Sequence, residues 1–327
     1  MKNLNTAVTI ATMTLALVPA AQALDTNFYG SLRIAAENVQ PDDDEALESY
    51  SGFRDAFSRV GGVVSGPLTD GLTASIKLEL PLDLANGKVQ RPADEEDELR
   101  VFKAQLSGSF GTVWVGKDWT PFYNNIAYPI DYFSSYYSGW ATTTSFRVPD
   151  MLAYVSPSFN GFTVSGAFAK DHGDDDRSQF TVSHSGEKLT VSVGVDKTGG
   201  VYNTQVLGAA VGYTEGRWYF GAKTEQFSSD KESEGYGQDG TGVSGAIVQY
   251  SQGSNTFRAM VAQFDNYGES ILHAGWDYQY QSNLKFFVEY YQEEETAVIA
   301  QERKSTVNVW TDSSGGQVMT VGVRFDF

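Results

Sequence analysis

Side chains able to do covalent chemistry are sparse in this sequence. It holds no cysteine, which excludes thiolate metal sites and cysteine nucleophiles. Its three histidines, His172, His184 and His273, stand apart without metal-ligand spacing, and no Gly-x-Ser-x-Gly element occurs. What the sequence does space regularly is charge. In Leu72-Thr73-Ala74-Ser75-Ile76-Lys77-Leu78-Glu79-Leu80 the apolar residues take one parity and Thr73, Ser75, Lys77 and Glu79 the other. Phe28 to Ala35 repeats the pattern with Arg33 on the polar parity. Alternation of this kind describes a strand with one wet face. Charges held on such faces do electrostatic work: they attract, repel and orient a passing solute.

Similar segments recur along the chain, among them Leu189 to Val195 and Leu284 to Tyr290. Each is about ten residues long, the length a tilted strand needs to cross a bilayer. A charge facing lipid near the midplane costs about 2–4 kcal/mol, so Arg33, Lys77 and Glu79 are expected inside. The connections alternate in length. Short ones rich in Gly, Asn, Asp, Pro and Ser fall at 67–71, 109–111, 157–161, 186–188, 215–217, 252–255 and 281–283. Long polar ones fall at 38–51, 81–98, 118–145, 171–177, 228–240 and 293–316. Seven tight turns with two terminal strands predict about sixteen antiparallel strands closed into one transmembrane β-barrel, wide enough for an aqueous channel.

The ends and the composition agree with that reading. Lys2, the apolar Val8 to Val18 and the small residues of Ala21-Gln22-Ala23 form a signal peptide over residues 1–23, leaving residues 24–327 as a single barrel domain. Val321, Val323, Phe325 and Phe327 share one face of a closing strand, and Phe325 and Phe327 are candidate assembly signals. Mean hydropathy is −0.30 and no apolar run reaches the length of a spanning helix, as in a barrel where only alternate residues meet lipid. Thirty-three glycines and 20 Phe with 18 Tyr against 9 Pro make a β-type profile. A formal charge of −18 argues against nucleic acid as a partner and for cations, hence the expectation of a weak cation preference.

Ser58-Arg59-Val60-Gly61-Gly62 followed by Pro67-Leu68-Thr69-Asp70-Gly71-Leu72 resembles the second and third strands of Gram-negative general porins. Leu106 to Val113 with Gly116-Lys117 and Thr120-Pro121-Phe122-Tyr123, and Arg147-Val148-Pro149 with Tyr154 to Pro157 and Gly161-Phe162, are similar to later elements of that family. With Tyr29-Gly30 and the Phe327 ending, the resemblance runs along the whole mature chain. It implies a trimer of sixteen-stranded barrels in the bacterial outer membrane, each passing small hydrophilic solutes and ions by passive diffusion without a cofactor. It also implies a third long loop folded inward to constrict the pore.

On that resemblance Arg147, Arg59, Arg100 and Arg33 belong to a basic wall, which Lys77 joins by alternation, and Asp131 and Asp118 supply facing carboxylates from the loop. The loop departs from the enteric pattern, which carries Pro-Glu-Phe-Gly-Gly at its tip. Here the tip is Tyr128-Pro129-Ile130-Asp131-Tyr132-Phe133, and the loop is rich in aromatics. Trp119, Tyr123, Tyr132, Tyr136, Tyr137 and Trp140 either stack on sugars, as in an oligosaccharide-selective porin, or pack the loop against the inner wall, which is the favoured reading. Acidic runs at 41–48, 94–98 and 174–176 are expected at the rim, where they would gather cations or share divalent ions with lipopolysaccharide. The barrel-assembly machinery, lipopolysaccharide and outer-membrane lipids are the expected partners. An outer-membrane enzyme and a soluble β-rich binding protein are the readings from other classes.

Overall fold

The computed structural model describes residues 24–43, 48–89, 99–170, 176–231, 239–265, 269–294, 298–299, 301–304, 307–310 and 315–327. The signal segment, His172 and the acidic run 94–98 lie outside the described residues. The wall opens with β1 (Asp25–Pro41), β2 (Tyr50–Asp55), β3 (Ser58–Thr69), β4 (Leu72–Leu82), β5 (Val101–Gly108) and β6 (Gly111–Trp119). It continues through β7 (Arg147–Val155), β8 (Phe162–Ala169), β9 (Arg177–Ser185), β10 (Leu189–Thr198) and β11 (Thr204–Glu215). Next come β12 (Trp218–Ser228), β13 (Gly242–Gln252), β14 (Asn255–Phe264), β15 (Glu269–Gln281) and β16 (Leu284–Glu293). After a small hairpin of β17 (Gln301–Lys304) and β18 (Val307–Trp310), β19 (Gly316–Asp326) returns to pair with β1 and closes the sheet.

All wall pairings are antiparallel, and β2 and β3 are one wall strand interrupted by Ala56 and Phe57, since both pair with β1. The wall therefore has sixteen strands, as the turn count predicts. Phe57 takes a left-handed conformation (φ 64°), which breaks the ladder. The break is held by Asp55, whose carboxylate accepts from the Ser58 amide (2.8 Å) and the Leu84 amide (3.2 Å).

All seven short turns fall where the sequence places them, on the rim where β1 begins and β19 ends. The alternation on the other rim is less regular than expected. The β10–β11 and β14–β15 connections there are as short as the turns. Alternation sets the faces: Phe28, Ile76, Leu152, Val193, Phe257 and Val321 are exposed on the outside, while polar residues of the other parity line the interior.

The third long loop is internal. It begins at Thr120, because β6 runs on through Asp118 to Trp119. It turns through two short helical segments (Tyr123–Ala127 and Tyr128–Ile130) and rejoins the wall at Arg147. Phe122, Ile126, Ile130, Phe133 and Tyr137 are buried between loop and wall, each contributing about 1.5–3 kcal/mol of transfer free energy. The wall is shaped to receive them. A Cβ on Gly208 would lie 2.5 Å from the Phe122 ring, and one on Gly275 would meet Glu289 at 2.9 Å and Phe133 at 3.3 Å. Glycine at these positions lets the loop lie directly on the strands.

Candidate pore constriction

Inward carboxylates on one side of the barrel bind the loop. Glu289 on β16 accepts from the Ser134 amide (2.7 Å), the Ser135 amide (3.0 Å) and His273 Nε2 (3.1 Å). The His273 ring stacks on Phe133 with centroids 3.5 Å apart. Glu225 on β12 accepts from the Thr142 hydroxyl (2.7 Å), the Thr143 amide (2.7 Å) and hydroxyl (2.8 Å), and Lys223 Nζ (2.5 Å). Asp196 on β10 accepts from the Thr144 hydroxyl (2.8 Å) and from Arg177. Glu37 on β1 accepts from the Tyr137 hydroxyl (2.9 Å) and pairs with Arg54 Nε (3.1 Å). Uncharged partners add to these: the Tyr219 hydroxyl donates to the Pro129 carbonyl (2.8 Å), and Gln179 accepts from the Phe122 amide (3.0 Å). Charge-assisted bonds to backbone amides are the strong kind, and here they are buried.

A second part of the lumen wall, lower on β1 and β16 than these anchors, is basic. Arg33 and Arg324 are register partners across β1 and β19, and Arg324 and Lys285 across β19 and β16. Three cations thus stand side by side on adjacent strands, where like charges repel. Two carboxylates offset them. Asp326 accepts from Arg324 (2.8 Å), and Asp277 accepts from both Lys285 (2.6 Å) and Arg258 (2.8 Å). Arg33 itself donates to the Ser31 hydroxyl (2.9 Å), and the charges around it are Arg59, Arg324, Asp326 and Arg100.

The band continues on the next strands. Glu79 accepts from Arg100 Nε (2.7 Å) and from the Tyr29 hydroxyl (3.0 Å), with Arg59 at 3.8 Å. Lys77 stands over the Tyr29 ring (5.5 Å) and opposite Lys103, which pairs with Asp118 at 2.8 Å. Arg100 and Lys103 are of opposite parity, and both turn inward because Arg100 precedes β5 and so escapes its alternation. The Arg147 guanidinium lies 4.4 Å from the Trp119 ring, which stacks on Tyr123 at 4.6 Å.

All five basic residues expected from the sequence therefore lie on this one side of the lumen. The carboxylates do not follow their expectation. Asp118 belongs to strand β6, not the loop, because the strand runs two residues further than its spacing suggests, and it neutralises Lys103. Asp131 is in the loop, but its carboxylate accepts from the Tyr123 and Ser138 hydroxyls and staples the loop to itself. Burial, and then Asp131 beside it, hold the Tyr123 phenol well above its ordinary value. Of the aromatic candidates, Tyr123, Tyr136 and Tyr137 are buried, while Trp119, Tyr132 and Trp140 are half-buried. Tyr136 packs on Phe57 and the Arg54 guanidinium, and Tyr132 meets Tyr219 edge-on.

Sequence reasoning missed Arg258, Lys285 and Arg324, and the loop anchors Glu37, Asp196, Glu225 and Glu289. Their inward parity was visible, but the stagger that sets their height was not. His273 is fully buried behind the loop, and His184 faces outward beside Phe162. Among the described residues no cluster has metal-site composition.

Comparison with known proteins gives the same architecture. The chain is 28% identical over 148 residues to a monosaccharide porin of a Halomonas species, a stretch covering 42% of this chain and 40% of that protein. A major outer membrane protein of Halomonas elongata matches equally. The chain thus aligns with well under half the length of these relatives. The anion-selective porin of Comamonas acidovorans superposes with a TM-score of 0.73 at 18% identity, covering 93% of this chain and all of that one. OmpF of Salmonella typhi superposes at 0.71 with 15% identity, covering 92% and 97%. The Gram-negative porin profile matches residues 6–303, so this barrel with its third long loop inside belongs to the Gram-negative porin family and resides in the outer membrane.

Proposed function

We propose that the protein is a passive, non-catalytic channel whose narrow passage lies between the anchored loop and the basic side of the wall, and that the passage favours small anionic solutes. The observation that carries this is the line Arg33–Arg324–Lys285 on three adjacent strands, flanked by Arg59 and Arg258, with no loop carboxylate turned towards it among the described residues. Net charge alone suggests cations. Distant rim carboxylates, however, are screened beyond about 8–10 Å, whereas groups lining the narrow passage are not. The acidic mouth then moderates the preference instead of setting it. Liposomes carrying the protein should swell faster in small monocarboxylates than in matched amines; equal or reversed rates would refute the preference.

A second reading, a channel for sugars, is favoured by the half-exposed ring of Trp119 beside Arg147 and by the name of the Halomonas relative. It requires that sugars interrupt single-channel current. Residues 1–23 act as a cleaved export signal in this reading. The active unit is a trimer joined through the β3–β6 face, where Val64, Ile76, Phe102 and Leu106 are exposed. The assembly machinery is proposed to read Phe325 and Phe327.

A further inference from the structure

The loop meets the basic wall with rings. From Trp119 the aromatic centroids step to Tyr123 (4.6 Å), Tyr128 (6.3 Å), Tyr132 (5.1 Å) and the wall residue Tyr219 (5.2 Å). Arginines accompany this ladder: the charges acting on Tyr123 include Arg147, those on Tyr128 Arg324 and Arg33, and those on Tyr132 Arg258. Most of its rings are already engaged. Tyr123 is buried, Trp119 is shared by Tyr123 and the Arg147 guanidinium, and Tyr132 stands between Tyr128 and Tyr219. Tyr128 differs. It is 46% exposed, and its hydroxyl makes no hydrogen bond among the described residues.

The backbone behind this ring is held. Tyr128 opens the short helical turn with Pro129, whose carbonyl accepts from the Tyr219 hydroxyl (2.8 Å). Ile130, which follows, is buried on the wall at Gly245, where a Cβ would lie 2.7 Å from its Cδ1. A ring presented from a fixed turn needs little ordering when a solute packs on it. The two arginines that act on it also have unused donors. Arg33 directs Nε to the Ser31 hydroxyl, and Arg324 directs Nε to Asp326. The terminal guanidinium nitrogens of both make no hydrogen bond among the described residues. Such a pair of nitrogens matches a carboxylate with two parallel hydrogen bonds.

We propose that Tyr128, Arg33 and Arg324 form a subsite for aromatic monocarboxylates, the solute's carboxylate on the terminal nitrogens of either arginine and its ring on the Tyr128 phenol. The inference deepens the reading of an anionic passage and rests on it. An aromatic ring gains offset or edge contact with the phenol beyond what its area alone supplies, which a saturated ring of the same size does not. A protonated aromatic amine is repelled by both arginines. A second carboxylate at the far end of the solute would approach Asp131, another of the charges beside Tyr128, so one carboxylate suits the site better than two.

The test records single channels of the mature protein in planar bilayers at neutral pH. Benzoate should interrupt the current at about fivefold lower concentration than cyclohexanecarboxylate, which has the same charge and nearly the same size. Tyr128→Leu should bring the two acids together, Tyr128→Phe should keep them apart, and Arg324→Ala should weaken interruption by both. If Tyr128→Leu fails to insert, the unsubstituted protein decides alone. Equal interruption by the two acids, or none by benzoate, would overturn the subsite, as would a difference that survives in Tyr128→Leu. Reversal potentials on the same membranes separate the two levels. An anion-favouring channel that treats the acids alike ends the aromatic subsite only, whereas a cation-favouring channel removes the anionic passage and the subsite with it.

Discussion

The two sides of the lumen use the same residue types to opposite ends. On the β9–β16 side, carboxylates face the loop and are consumed by its amides and hydroxyls: Glu289, Glu225 and Asp196 accept from Ser134, Ser135, Thr142, Thr143 and Thr144. On β3–β5 and along the lower parts of β1, β16 and β19 the loop makes no such claim, its tie to β1 being the Tyr137 hydroxyl on Glu37 higher up that strand. There arginines outnumber the acids that face them. One side spends its charge on holding a constriction in place. The other keeps charge available to whatever passes. A lumen residue's role therefore depends on whether the loop reaches it, not on its being charged.

The comparison can be broken most severely at Glu289. Glu289→Ala leaves two buried amides and His273 without their acceptor, which should cost about 3–5 kcal/mol and release the loop tip. Single-channel records should become noisier and the heat-resistant form should melt earlier; an unchanged melting temperature would show that the loop needs no such anchor. Gly275→Val tests the same wall by shape. A branched side chain there meets Phe133, so a loss of about 1–3 kcal/mol is expected in thermal unfolding, with the ion preference retained.

On the basic side the expected effect on stability is small and the effect on permeation is not. Arg33→Ala removes a cation whose charged surroundings are mostly cations, so melting should shift little while reversal potentials move towards cation preference. Raising the pH gives the mildest perturbation. Burial pushes the loop phenols of Tyr123, Tyr128 and Tyr137 above their ordinary value of 10.0. Their neutral form is the one the fold favours, so this stabilisation is complete below about pH 10 and is lost only as pH climbs through the raised values. Loop-dependent noise should accordingly be flat from about pH 7 to about pH 10 and rise only above that.

Strand faces and turns were legible because they depend on a period of two and on local turn chemistry. Lys77 and Glu79 point inward as their parity demands, and all seven turns lie where Gly, Asn, Asp and Pro cluster. The short β10–β11 and β14–β15 connections escaped notice because no rule requires loops on that rim to be long. Phe57 was illegible for a different reason: its left-handed backbone is imposed by Asp55 and its neighbours, not announced by its type. At the constriction, arginine parity could be read but height could not, since barrel stagger places Lys285 beside Arg324 although 39 positions separate them. Asp131 was misleading because its partners, Tyr123 and Ser138, lie within its own loop.

The central claim is that the unclaimed basic side governs what passes, and reversal potential across a planar bilayer under a salt gradient tests it most directly. We predict an anion-favouring potential for the protein that shifts towards cations in Arg33→Ala and in Arg324→Ala, and that stays put in Gly275→Val. A cation-favouring potential that neither arginine substitution alters would contradict it.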